Sequence, residues 1–162
     1  MDARVGLLSD SHGRAERTER AVDALLAAGA DMLVHAGDIE TEQVLDCLAG
    51  HSAHIVWGNC DWDQAGLGRY AKDIGISVHG DAGEVEADGV RIAFTHGHLT
   101  AALRAAMASG AAYLVHGHTH ERRDERVDGV RIINPGALHR AHPFTVALLT
   151  PRTGDLKTIE VR

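Results

Sequence analysis

Cysteine is scarce in this 162-residue sequence: Cys47 falls in a helical pattern and Cys60 in a loop, and two thiols do not make a disulfide framework. That scarcity agrees with a reducing compartment. Basic residues are in deficit too, with 16 Lys and Arg against 23 Asp and Glu and a formal net charge of -7. A protein that coats long nucleic acid needs clustered cations, so the balance argues against that class. No apolar run approaches the roughly 20 residues that a bilayer crossing requires. Met1-Asp2-Ala3-Arg4 leads into a strand pattern without a signal-peptide signature, so a soluble cytoplasmic protein is expected. No linker, internal repeat or low-complexity tract divides the chain, and its length suits one domain spanning residues 1–162. Histidine, by contrast, is abundant at 12 residues. Metal sites are one cause of such enrichment and compositional drift is another.

Residues 4–8 read as a buried strand followed by the polar loop Ser9-Asp10-Ser11-His12-Gly13, and residues 15–28 as a helix stopped by Gly29. The pattern repeats with a strand over 31–36 ending in Gly37-Asp38, a short helix over 41–48, and a strand over 53–57 ending in Gly58-Asn59-Cys60-Asp61. Such strand-helix alternation implies parallel pairing with right-handed crossovers. Residues 62–75 suggest a loop with a short helix carrying Leu67, Tyr70 and Ile74. Asp88-Gly89 and Asp128-Gly129 then mark two hairpins, 82–87 with 90–94 and 122–127 with 130–133. Between them lie a helix over 100–108 and a strand over 113–116, and two more strands, 145–150 and 156–161, close the chain. The second half therefore reads as largely antiparallel. The expected architecture is α/β, a two-sheet β-sandwich, partly parallel and partly antiparallel, flanked by helices.

Ligands in open α/β sheets bind beyond the carboxyl ends of the strands. Those ends carry Asp10, His12, Asp38, Asn59, His96, His118 and His120. In extended backbone, His118 and His120 would point to one side. Seven oxygen and nitrogen donors are too many for one ion and suit a pair of divalent ions about 3.5–4 Å apart, with one carboxylate bridging. The mixed donors favour Mn, Fe, Zn, Co or Ni over Ca or Mg. Each residue alone could instead cap a helix or a turn, as Asp10 and Asp38 could; their joint spacing opposes that.

In order, Asp10-Ser11-His12, Gly37-Asp38, Gly58-Asn59-Cys60-Asp61, Thr95-His96-Gly97-His98 and Gly117-His118-Thr119-His120 resemble the calcineurin-like metallophosphoesterases. The likeness is greatest to their small, stand-alone prokaryotic phosphodiesterase branch, and Asn134-Pro135-Gly136 matches a further turn of it. The resemblance implies a phosphodiesterase with two divalent metal ions, manganese first and Fe, Ni, Co or Zn as alternatives, acting on small phosphodiesters or phosphomonoesters. It implies Asp10, His12 and His120 on one ion, Asn59, His96 and His118 on the other, and Asp38 between them. A hydroxide shared by the ions would attack phosphorus in line. The catalytic candidates are thus Asp38, Asn59 and His98, the last two stabilising developing charge.

One departure stands out. Larger members carry a histidine after the motif asparagine to protonate the leaving oxygen, and this sequence has Cys60. His98 or water would have to replace it. The family also implies a rival from another class: the metallophosphoesterase-like subunit of the retromer coat is a scaffold that binds partner proteins. Lost ligands should mark such drift, and here all seven positions are filled. A nuclease is opposed by the acidic balance. His35 and His116, on apolar strands, suit supporting rather than ligating roles; His51, His54, His79, His139 and His142 match no motif and are assigned to surface or core. A small domain of this kind often pairs, so a homo-oligomer is a further expectation.

Overall fold

Side-chain alternation along short strands sets the layering of this protein, whose computed structural model describes residues 1–162. In chain order the elements are β1 (Val5–Leu8), α1 (Ala15–Ala27), β2 (Met32–His35), α2 (Glu42–Asp46), β3 (Ala53–Ile55), α3 (Gln64–Asp73), β4 (Ser77–Val78), β5 (Ala82–Ala87), β6 (Val90–Thr95), α4 (Thr100–Ala108), β7 (Tyr113–Val115), β8 (Arg123–Val127), β9 (Val130–Asn134), β10 (Thr145–Thr150) and β11 (Asp155–Glu160). They build a six-stranded sheet in the order β11-β10-β1-β2-β3-β4 and a five-stranded sheet in the order β5-β6-β7-β9-β8.

Val5 and Leu7 of β1, Val34 of β2, Ile92 and Phe94 of β6, Tyr113 and Val115 of β7, and Ala147 and Leu149 of β10 meet between the sheets. Their neighbours in sequence face outward. Leu8, Leu33, Val146 and Leu148 pack with Val22 and Leu25 of α1, Leu45 of α2 and Leu67 of α3, while Ala93 and Leu114 pack beneath Ala106 of α4. The result is helices, sheet, sheet, helix. Gly6 keeps the α1 layer close: a methyl there would overlap Leu33 Cδ2 and crowd Leu25 Cδ1. Both Asp-Gly pairs turn as expected, with positive φ at Asp88 and Gly89 and at Asp128 and Gly129.

The sandwich is as the sequence implies, but the division into a parallel and an antiparallel half is corrected. β6, β7 and β9 run parallel, with antiparallel β5 and β8 only at the edges. α4 carries the chain across the sheet face from β6 to β7, and such a crossover returns a strand in the same direction. β10 and β11 are antiparallel but belong to the first sheet, where β10 pairs with β1. Residues 62–75 hold a ten-residue helix, α3, capped at its start by the Asp63 carboxylate accepting from Gly66 N at 2.9 Å.

Candidate metal centre

Five strands of the two sheets, β1, β2, β3, β6 and β7, deliver the predicted donors to one place from the loops that follow them. Backbone bonds continue past the strand ends: Asp10 N donates to Gly37 O at 3.0 Å, His12 N to Asp38 O at 2.9 Å, and Gly117 N to His96 O at 2.9 Å. Nine non-glycine residues have positive φ. Two are the hairpin aspartates; the other seven are Asp10, His12, Asp38, Glu40, His118, His120 and Arg140. A left-handed non-glycine residue costs about 1–2 kcal/mol, and such residues gather at functional sites. The expected extended run through His118 and His120 is therefore corrected: β7 ends at Val115, and both histidines sit in a turn at φ 70° and 60°. That turn sends them to different partners.

His120 Nε2 lies 3.1 Å from Asp10 Oδ1 and 3.2 Å from His12 Nε2. His118 Nδ1 instead lies 3.0 Å from Asn59 Oδ1, which is also 3.0 Å from His96 Nε2. Asp38 stands between the two groups. Its Oδ2 is 3.3 Å from His12 Nε2 and 3.1 Å from His96 Nε2, while its Oδ1 accepts from Cys60 N at 2.8 Å. One carboxylate oxygen is thus tied to backbone and the other is shared by the two groups.

Lone pairs face lone pairs at the centre. His96 Nδ1 donates to Ala36 O at 2.7 Å and His12 Nδ1 to Glu40 Oε1 at 3.1 Å, so both Nε2 atoms turn unprotonated toward the carboxylates when the rings are neutral. Asp10 Oδ1 is buried without a hydrogen bond, although its Oδ2 accepts from Ser9 Oγ at 2.6 Å and His118 N at 3.1 Å. Such a cluster requires positive charge. The donor atoms of Asp10, His12 and His120 lie within 4.8 Å of one another, as do those of Asp10, Asp38 and His96, so either group could hold a cation. The donor set fits divalent ions that accept imidazole and carboxylate together.

Protonation follows the same demand. Burial resists ionisation of Asp10, but the neighbouring His12 and His120 imidazoles, the His96 charge and Ser9 outweigh it and hold the carboxyl well below the usual range. Burial likewise opposes charge on His12, which Asp10, Glu40 and Asp38 nevertheless raise to about 9. His96 is raised against burial by Asp38 and Asp10, and His120 is raised chiefly by the Asp10 carboxylate beside it. A bound cation would compete with these protons.

A family model of the calcineurin-like phosphoesterase superfamily domain matches residues 3–154. This chain belongs to that superfamily of hydrolases acting on phosphoric esters. Phosphodiesterase MJ0936 of Methanocaldococcus jannaschii is 32% identical over 137 residues, 82% of each chain. The solved structure of an archaeal phosphodiesterase matches with a TM-score of 0.87 at 27% identity, over 98% of this chain and 99% of that one. The Yfce phosphoesterase of E. coli shares the fold, with a TM-score of 0.70 at 21% identity over 98% and 100% of the two chains.

Within this calcineurin-like domain, the loops rest on side chains that the motifs did not single out as functional. Asp61 accepts four backbone N–H groups, from Gly58, Asp38, Ile39 and Glu40, at 2.7, 2.9, 2.8 and 2.7 Å, tying the loop after β2 to the loop after β3. Asn134 Nδ2 donates to Gly117 O and Thr119 Oγ1 at 3.2 and 3.1 Å, which holds the turn bearing His118 and His120. His35 accepts from Gly37 N at Nδ1 and donates from Nε2 to Ser11 Oγ, joining the loops after β1 and β2 in the supporting role expected of it.

The donors open into a cleft of about 430 Å³ whose rim includes Arg14, Glu40, Cys60, His139 and Arg140. His139, assigned to surface or core, stands at this rim: its ring centroid is 4.9 Å from that of His12, and its Nδ1 accepts from Arg14 Nε at 3.4 Å. No motif marks His139, Arg140 or Glu40; an unpatterned loop brings the first two in. Burial, with Asp38 and Glu40, pushes the Cys60 thiol up to about 11. The His98 ring lies 5.4 Å from that of His96 and 6.1 Å from that of His118, and its Nδ1 is buried without a partner.

Proposed function

We propose that residues 1–162 form one catalytic domain, a dinuclear-metal phosphodiesterase for small phosphodiesters that also admits monoesters. Asp10, His12 and His120 would hold one divalent ion and Asn59, His96 and His118 the other, with Asp38 Oδ2 common to both. Manganese is the first choice and Fe, Ni, Co or Zn are alternatives. When bound, the pair supplies an ionised water and a clamp on the phosphoryl oxygens. The single observation behind this reading is the placement of Asp38 Oδ2, 3.3 Å from His12 Nε2 and 3.1 Å from His96 Nε2.

The chain's own residues orient the ester. The Asn59 amide, whose Oδ1 faces His96 and His118, fixes the inner end, and Arg14 offers guanidinium donors to the phosphate at the rim. Cys60 places a thiol where an imidazole acid would serve better. Protonation of the leaving oxygen falls to His98 or to water, and where water serves, aryl phosphodiesters with good leaving groups are cut fastest.

Metal analysis of the purified protein, paired with assays on an aryl phosphodiester and an aryl monoester for wild type and Asp38→Asn, tests the reading. Two ions per chain and a loss of roughly 100-fold or more in the variant are expected. Unchanged hydrolysis by Asp38→Asn would remove the shared-ligand role and with it the mechanism.

A further inference from the structure

The hollow at the metal centre continues sideways. His120 and Arg140 line both the catalytic cleft and a second cavity of about 470 Å³, so the two spaces adjoin along these side chains. That volume suits part of a small ligand. Its chemistry is selective. The lining has one hydrophobic residue and no aromatic ring beyond the imidazoles of His120 and His142, so a nucleobase or aryl group would find little to stack on.

Charge points the other way. Arg122 and Arg140 face this space with Glu121 as the one carboxylate, a local excess of cation in a chain of net charge -7. The arginine–carboxylate pairs of the molecule use Arg91, Arg123, Arg131 and Arg152, which leaves the guanidiniums of Arg122 and Arg140 unpaired. The backbone is shaped around them. Arg140 is left-handed at φ 44°, a conformation that among non-glycine residues is otherwise confined to the hairpin aspartates, five of the donors and Glu40. Gly136, at φ 89°, lies where a methyl would overlap Thr145 Oγ1 and press on Arg122 Cγ, so the turn after β9 leaves room for the Arg122 stem.

We propose that this cavity is a second anion subsite, in which Arg122 and Arg140 grip a phosphate that the substrate carries beyond the scissile phosphodiester. The substrate class is then a phosphodiester whose alcohol bears a further phosphate monoester, since the planar guanidinium fork matches a phosphate with two parallel hydrogen bonds. This inference rests on the phosphodiesterase reading above.

The test uses the manganese-loaded protein and two aryl phosphodiesters that differ only in a terminal phosphate on the non-aryl alcohol. Wild type should favour the phosphorylated member by about tenfold or more in kcat/KM, chiefly through KM. Arg122→Gln and Arg140→Gln should each erase most of that ratio, and Arg122→Lys should keep part of it. Equal kcat/KM for the pair in wild type, or a ratio that survives both substitutions, would overturn the subsite. Should wild type cut neither compound, the phosphodiesterase reading fails, and calorimetric binding of methylenebisphosphonate against methylphosphonate still decides the subsite. Several-fold tighter binding of the bisphosphonate that Arg122→Gln abolishes supports it; equal binding overturns it.

Discussion

Asp38 gives its two oxygens to different partners, Oδ1 to the Cys60 N–H and Oδ2 to the imidazoles on either side. Gly117 is needed there for space rather than for φ: a methyl on it would overlap Ser9 Oγ and Asp10 Oδ2. Gly117→Ala should cost about 1–3 kcal/mol in denaturant unfolding and weaken metal affinity by tenfold or more in equilibrium dialysis, about the effect of losing a partner that orients a ligand. Cys60→His should raise turnover of alkyl phosphodiesters more than of aryl ones, because an imidazole can protonate a poor leaving group; equal effects on both would show that leaving-group protonation does not limit the rate. His35 gives a pH signature. Burial lowers it from 6.5 to about 4, so on acidification the unfolded chain takes up the proton first. The stability held by neutral His35 is complete above about pH 6.5 and is lost as pH falls to about 4, about 3 kcal/mol in all. In metal-free protein the melting curves of wild type and His35→Asn should converge across that window as pH falls; parallel curves would contradict the assignment.

Among the elements, the loops rather than the strands carry the chemistry, and Asp61 shows how they are held. Its carboxylate accepts two N–H groups at each oxygen, so Asp61→Asn would turn amide hydrogens toward donors. Unfolding should become easier by on the order of 3 kcal/mol, with a matching loss of metal binding. The strand ends and their donors could be read from the sequence because each strand is a short apolar run stopped by a glycine-containing motif. Strand direction in the second sheet could not: Tyr113–Val115 has the same pattern whether it pairs parallel or antiparallel, and the α4 crossover decides. Glu40 and His139 stayed hidden because no spacing rule joins a loop after β2 to one before β10. The split of His118 from His120 followed from the family resemblance and not from periodicity, because it depends on backbone at positive φ that no side-chain pattern records.

Over the whole molecule, an acidic chain concentrates its imidazoles and a few arginines at one end of a sandwich whose edge strand β8 is exposed and charged from Arg123 to Arg126. No helix is long and apolar enough to cross a membrane. Cations that bind only the folded chain should stabilise it, by about 2.7 kcal/mol at one hundred times Kd. Chelation should therefore lower the melting temperature of wild type and leave Asp38→Asn nearly unmoved. The most direct measurement is anomalous diffraction from manganese-loaded crystals. The account predicts two peaks about 3.5–4 Å apart, one beside Asp10, His12 and His120 and the other beside Asn59, His96 and His118, with Asp38 Oδ2 between them. A single peak, or none, in crystals of fully active protein would contradict it.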